Sequence, residues 1–304
     1  MKAACCALLA LALGWVVPLA AAPLQLGIRG HQLQLPLFSV FASPAEMLHI
    51  THAYTGDSLA VTLDGETTGR QDATGLHLQA PAQPGLYELR LRRRDNGDET
   101  LLKLWVSTPR EQVSDGKLNG YEIGPYPPPR SKRPNYEPPP GFIEVTRENI
   151  DTRLSPHFTL RQFLCKQQSE YPKYVVIQES LLLLLEGLLL DVRAAGFAVD
   201  SFGIISGYRT PWYNRKIGNV RYSRHVYGDA MDIFIDVDGN GRMDDLNNDG
   251  MHNQKDIDRF FQIVDNFKAR PENASLVGGV GHYNKTSRHG GFVHIDTRGY
   301  RARW

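Results

Sequence analysis

Two histidines and an aspartate are the groups in this chain best placed to do chemistry. His225 and Asp232 lie seven residues apart, and His294 follows in the apolar run "FVHID". Asp232 sits inside "AMDIFI", where an unpaired carboxylate is costly to bury. Two imidazoles and one carboxylate fill three corners of a tetrahedron and leave the fourth for water, the ligand set of a catalytic zinc. Spacing alone leaves a second reading open, in which each of the three is an ordinary polar residue satisfied separately.

An acidic run follows Asp232. "DVDGNGRMD" sets Asp236, Asp238, Asn240 and Asp244 at positions 1, 3, 5 and 9 of a twelve-residue calcium loop, with the Arg242 carbonyl at 7. "DLNNDGMHNQKD" sets Asp245, Asn247 and Asp249 at 1, 3 and 5, Gly250 at 6 and Asp256 at 12. The second is nearly an EF-hand loop, with Asp where a bidentate Glu is usual. The first has Asn247 at its twelfth position. The expectation is one shared calcium or two adjacent ions, bracing the segment after Asp232. The competing reading is a turn-rich polar loop with Asp256 capping the next helix.

The elements that must position these groups lie in residues 142–304. "FGIIS", "AMDIFID" and "GGFVHIDTRG" read as strands. "GYRTPWYN" reads as a turn in which Pro211 forbids a helix. A long helix over Tyr174 to Ala195 stops at Gly196, and its run "LLLLLEGLLLDV" is too short and too interrupted to span a bilayer, so it is a buried helix. "DIDRFFQIVDNFKAR" is amphipathic, with Ile257, Phe260, Phe261, Val264 and Phe267 on one face. The fold class expected is α+β with an antiparallel sheet.

Upstream the pattern changes. Residues 23–109 alternate apolar and polar positions in short runs, with turns at Asp64-Gly65 and Asn96-Gly97, and suggest a small all-β, immunoglobulin-like sandwich. His49, His52 and His77 are scattered in it as ordinary strand histidines, and "RLRRRD" reads as a solvated strand edge. Its expected role is binding or positioning. Residues 110–141, with "GPYPPPRSKRPNYEPPPG", are an extended, proline-rich linker or strap. Residues 1–22, with Lys2 followed by an apolar stretch ending in small residues, read as an export signal; an uncleaved anchor is the alternative. Cys5 and Cys6 fall inside it, which leaves Cys165 and excludes a disulfide framework. The expected location is the periplasm or the exterior, with no membrane attachment once the signal is removed. The net charge of +1 favours no nucleic-acid partner, and a monomer is the default.

Against these residues a resemblance can be stated. "SGYRTPWYN", "SRHVYGDAMDI", "GGVGHYN" and "GFVHIDTRG" resemble the bacterial zinc peptidases of the D-Ala-D-Ala carboxypeptidase group, whose fold is shared with the hedgehog signalling domain. The likeness covers Phe158 to Trp304, and Ser223, His225, Gly228, Ala230 and Asp232 match the S-x-H-x-x-G-x-A-x-D pattern in full. It implies zinc held by His225, Asp232 and His294 and cleavage of peptidoglycan peptides, nearest to the periplasmic murein endopeptidases that share "VHID". Arg209 matches the family arginine that contacts substrate, whose planar fork suits an oxyanion or a terminal carboxylate; a structural salt bridge is the alternative reading. Ser223 opens the matched pattern as a substrate-binding candidate, and Tyr283 either lines the cleft or packs.

The general base departs from the family pattern. Where many members carry an acid three positions before the last histidine ligand, this chain has Gly291. Asp296 is the nearest acid and shares a strand face with His294, so it is expected either as the base or as a group orienting the ligand. His289 and His282 are further candidates for proton transfer. The missing acid also supports a different class of function, a catalytically inactive cell-wall-binding module that keeps the peptidase fold.

Overall fold

The computed structural model describes residues 21–54, 58–130, 134–287 and 289–304. The export signal read for residues 1–22 falls almost wholly outside them. Ten strands come first: β1 (Leu26–Ile28), β2 (His31–Leu33), β3 (Leu37–Ala42), β4 (Met47–Thr51), β5 (Leu59–Leu63), β6 (Glu66–Thr67), β7 (Arg70–Asp72), β8 (Gly75–Gln79), β9 (Gly85–Arg93) and β10 (Glu99–Val106). They form two five-stranded sheets, β2-β1-β4-β8-β7 and β3-β10-β9-β5-β6. All pairings are antiparallel except β3 with β10. Alternate side chains are buried along β4, β9 and β10, as a half-buried strand requires. β9 lies inside its sheet, not at an edge. Arg90 and Arg92 are accommodated because their face is open, and Arg90 pairs there with Glu99; Arg93, at the strand end, pairs with Asp95.

β11 (Thr108–Pro109), β14 (Gly141–Val145) and β15 (Lys173–Val175) make a small three-stranded sheet, with the hairpin β12 (Lys117–Leu118) and β13 (Tyr121–Glu122) beside it. Helix α1 spans Glu179–Ala194, shorter at its start than the periodicity predicts. Lys173–Val175 pairs with β14 instead, and tertiary pairing overrides helix propensity there. Leu181, Leu182, Leu184, Leu185 and Leu188 of α1 are fully buried, each contributing about 1.5–3 kcal/mol by leaving water. Glu186 accepts hydrogen bonds from the His157 backbone amide (2.9 Å) and ring Nδ1 (2.7 Å), which explains a carboxylate in so apolar a helix. Gly187 lets α3 (Gln254–Ala269) approach, since a Cβ there would come within 2.7 Å of the Phe267 ring.

The sheet that matters for chemistry runs β16-β17-β19-β18-β20, from β16 (Gly203–Ser206), β17 (Ala230–Phe234), β18 (Gly279–Tyr283), β19 (Phe292–Asp296) and β20 (Ala302–Arg303). Met231, Ile233, Val293 and Ile295 face the hydrophobic core that α1 and α3 join. The alternate residues Asp232, Phe292, His294 and Asp296 face the other way. Between β16 and β17 stands a helix that the proline argument excludes: α2 (Pro211–Lys216). Pro211 occupies its first turn, where the missing N–H costs nothing, and the Thr210 hydroxyl caps it by accepting from Tyr213 N at 3.1 Å. The whole is a mixed α and β fold with mostly antiparallel sheets.

Glu179, at the start of α1, joins the N-terminal sheets to the rest. It accepts the Phe41 amide at 3.0 Å and pairs with Arg29, which also reaches Glu46 at 2.5 Å. Cys165 is buried and unpaired.

Candidate metal centre

Strand register brings the three candidate ligands together. Ser206 pairs with Asp232, Asp232 with His294 and His294 with Gly281, so one row crosses four strands at the same level. His225 arrives from a 3-10 turn, Arg224–Tyr227, that closes at Gly228. Gly228 has φ +75°, and a Cβ there would lie 2.4 Å from the Val176 carbonyl, so no other residue fits.

Three atoms converge. Asp232 Oδ1 lies 3.1 Å from His225 Nε2 and 2.8 Å from His294 Nδ1, and the two nitrogens are 3.2 Å apart. A tetrahedral zinc with bonds of about 2.0–2.1 Å separates its ligand atoms by about 3.3 Å, so the triangle is near the size it needs. The outward atom of each ligand is tied. His225 Nδ1 donates to the Gly207 carbonyl at 2.7 Å, His294 Nε2 donates to Asp296 Oδ2 at 3.1 Å, and Asp232 Oδ2 accepts from Arg209 Nη2 at 2.9 Å. Those bonds fix both tautomers and turn two imidazole lone pairs and a carboxylate oxygen toward one point. Such a set is repulsive unless a cation or a proton sits among them, and all three residues are buried. The residues fit a zinc ion.

The electrostatics agree. Burial pushes His294 down, but hydrogen bonds to the Asp232 and Asp296 carboxylates prevail and lift it to about 9. Burial lowers His225, with Asp232 opposing. Asp232 is held below the usual carboxylate range because the two histidines outweigh its burial. The site therefore favours positive charge between its carboxylates.

Asp296 takes up the position of a group that orients the ligand. It is fully buried and accepts from His294 Nε2, from Gly279 N at 2.8 Å and from Arg298 Nε at 2.8 Å. His294 and Arg298 hold it far below the carboxylate range against its burial. It meets the ring nitrogen of His294 that points away from the metal position, as an orienting group does. His282 is also elsewhere, paired with Asp258 at 3.1 Å and packed on Phe261.

An open cleft of about 760 Å³ lies over the three ligands. Arg209, Ser223 and Tyr283 line it, as does His289. Arg209 donates through Nε to Ser206 at 2.9 Å and bridges to Asp232, so it also holds a ligand in place. Tyr283 stacks on Phe292 at 4.7 Å and accepts from Trp304 Nε1 at 2.7 Å, and the Trp304 ring stands 5.3 Å from that of His294. Trp304, Phe292 and Lys166 were not singled out by spacing, because only the tertiary fold brings them to this wall. Arg298 was missed too, although its position two residues after Asp296 was the available signal.

The acidic loop divides. Asp236, Asp238 and Asp244 bring carboxylate oxygens within 4.8 Å of one another, and Asn240 joins Asp238 at 2.8 Å. Asp245 accepts the amides of Asp249 and Gly250, and Asn247 donates to Asp249 at 3.2 Å. Asp256 does not turn to them as a twelfth ligand would: its two oxygens accept the amides of Leu246 and Asn253, both at 2.8 Å, in the capping box of α3.

Residues 156–254 match the family model described as Peptidase M15. M15 peptidases are zinc-dependent, and the match supports a metallopeptidase. It spans about one third of the chain and takes in Arg209, His225 and Asp232; His294 lies beyond it and is supplied by the geometry. No curated protein matches the chain. A solved structure of fibronectin(III)-like modules of Clostridium thermocellum CbhA aligns over 27% of this chain and 94% of that one, at 21% identity and a TM-score of 0.20, too low to carry any statement about fold.

Proposed function

We propose that the protein is a zinc peptidase that hydrolyses peptide bonds in peptidoglycan stem peptides or cross-links. The convergence of His225 Nε2, Asp232 Oδ1 and His294 Nδ1 beneath an open cleft carries this reading. Zinc bound there would polarise a scissile carbonyl and acidify water. Asp296 holds the His294 tautomer, and the Gly207 carbonyl holds that of His225. Arg209 holds Asp232 in place through Nη2 and presents its remaining N–H groups to oxygen atoms of the substrate. Besides the two ligands, His289 is the one imidazole lining the cleft among the described residues. Its Nδ1 donates to the Gly290 carbonyl at 2.8 Å, which leaves Nε2 as the acceptor. His289 takes the proton from water and returns it to the leaving amine. Its removal is expected to lower kcat by about 10²–10⁴-fold with zinc content unchanged.

The reading extends to an exported protein acting in the periplasm or outside the cell, with the sheets of residues 23–109 as a sandwich that binds or positions the wall. Asp236, Asp238 and Asp244 are the proposed calcium position, with a bracing role; melting that rises with calcium in the parent and not in Asp238→Ala would support it.

A second reading, a wall-binding module without catalysis, draws on one observation: no carboxylate other than Asp232 lines the cleft among the described residues. Digestion of purified murein with and without a chelator, followed by mass analysis, separates the two. Chelator-sensitive release of peptide fragments supports the peptidase; its absence leaves the binding module.

A further inference from the structure

A second groove, of about 650 Å³, adjoins the metal cleft, and His289 lines both. Its walls are the loop bearing Asn240 and Arg242, the first turn of α3 with Gln254, and the loop bearing Asn284 and Lys285. Its volume falls in the range of sites that enclose a small-molecule-sized group, about 300–1,000 Å³.

The lining states what kind of ligand fits. Arg242 and Lys285 have no carboxylate within ion-pair distance among the described residues, and both are exposed. The one acid in the lining, Asp256, is buried, with both oxygens taken by backbone amides. The side-chain oxygen of Gln254 is buried without a partner, because its amide nitrogen is spent on Asp258 at 2.7 Å. That oxygen calls for an N–H or O–H donor. Among the described residues no phenyl, phenol or indole ring lines the groove, and its rings are the imidazoles of His252 and His289. Side-chain amides, a donor-seeking oxygen and two unpaired cations suit a peptide backbone that carries carboxylates.

We propose that this groove is a second substrate subsite that holds an acidic peptide arm on one side of the scissile bond. The inference rests on the peptidase reading for its place in a reaction, but the binding claim stands on the groove itself. Gly290 gives a clean way to block it: a Cβ there meets nothing within 4 Å, so a larger side chain projects into open space at the junction of cleft and groove.

The test compares a cross-linked muropeptide with two peptide arms and the matching single-arm muropeptide. Binding of each to the full chain is measured by calorimetry with a zinc-selective chelator and calcium present, so that no cleavage occurs. The parent is expected to prefer the two-arm ligand by about tenfold, and the preference to shrink as salt screens the cations. Arg242→Glu with Lys285→Glu, and separately Gly290→Leu, should each bring the two ligands within about twofold. With zinc restored, Arg242→Glu with Lys285→Glu should raise KM for the two-arm substrate about tenfold while kcat changes by less than twofold. A parent with no preference, or variants that keep it, would overturn the subsite. If the preference is seen and lost as expected but zinc-loaded protein cuts nothing, the subsite stands and the peptidase reading falls.

Discussion

His294 sits between two carboxylates, with Asp232 on one ring nitrogen and Asp296 on the other. In metal-free protein that environment retains a proton on His294 up to about pH 9. Zinc must displace it, so the logarithm of apparent zinc affinity should climb by about one per pH unit and level off near pH 9. Competition against a chelator of known affinity across pH 6–10 measures this, and an affinity independent of pH would contradict the proton count. Asp296→Asn tests the orienting role. Zinc affinity should fall by about 10–100-fold, with most activity restored at saturating zinc; a deficit of 10²–10⁴ that zinc does not repair would mark a base instead. The strand period placed His294 and Asp296 on one face correctly. What it does not encode is which ring nitrogen a same-face carboxylate meets, or that Arg298, two residues further, neutralises it. Those depend on where Gly279 and the turn after β19 lie.

At the scale of elements, the strands that carry the ligands were legible because each is a short apolar run with one costly polar residue in it. Helix α2 was not, since a proline both ends helices and starts them, and only Thr210 ahead of it distinguishes the two. The start of α1 was hidden for a different reason: Lys173–Val175 has both helical periodicity and a strand partner in β14, and the partner decides. Glu186 gives a prediction that runs against hydrophobicity. Glu186→Ala makes α1 more apolar and a better helix former, yet it strips the His157 amide and ring of their acceptor. Urea unfolding should show a loss of about 1–3 kcal/mol, and a gain in stability would contradict the account of that carboxylate. In the acidic loop, Asp256 fits a calcium loop and a helix cap equally well by spacing, and the cap takes it.

Over the whole molecule, the metal centre is assembled from distant parts of the chain. His225 and His294 are 69 residues apart, and the sheet that aligns them also anchors α3 and the second groove. The matched family span ends at residue 254, so the third ligand enters through folding and not through that local likeness. The N-terminal sheets touch this unit through Glu179 at the start of α1. The central claim is that one zinc ion sits where three buried donor atoms converge. Anomalous scattering at the zinc edge from crystals grown with zinc tests it most directly. A strong peak is expected about 2.0–2.2 Å from His225 Nε2, Asp232 Oδ1 and His294 Nδ1. Fully zinc-loaded, active protein with no peak among those three atoms would contradict it.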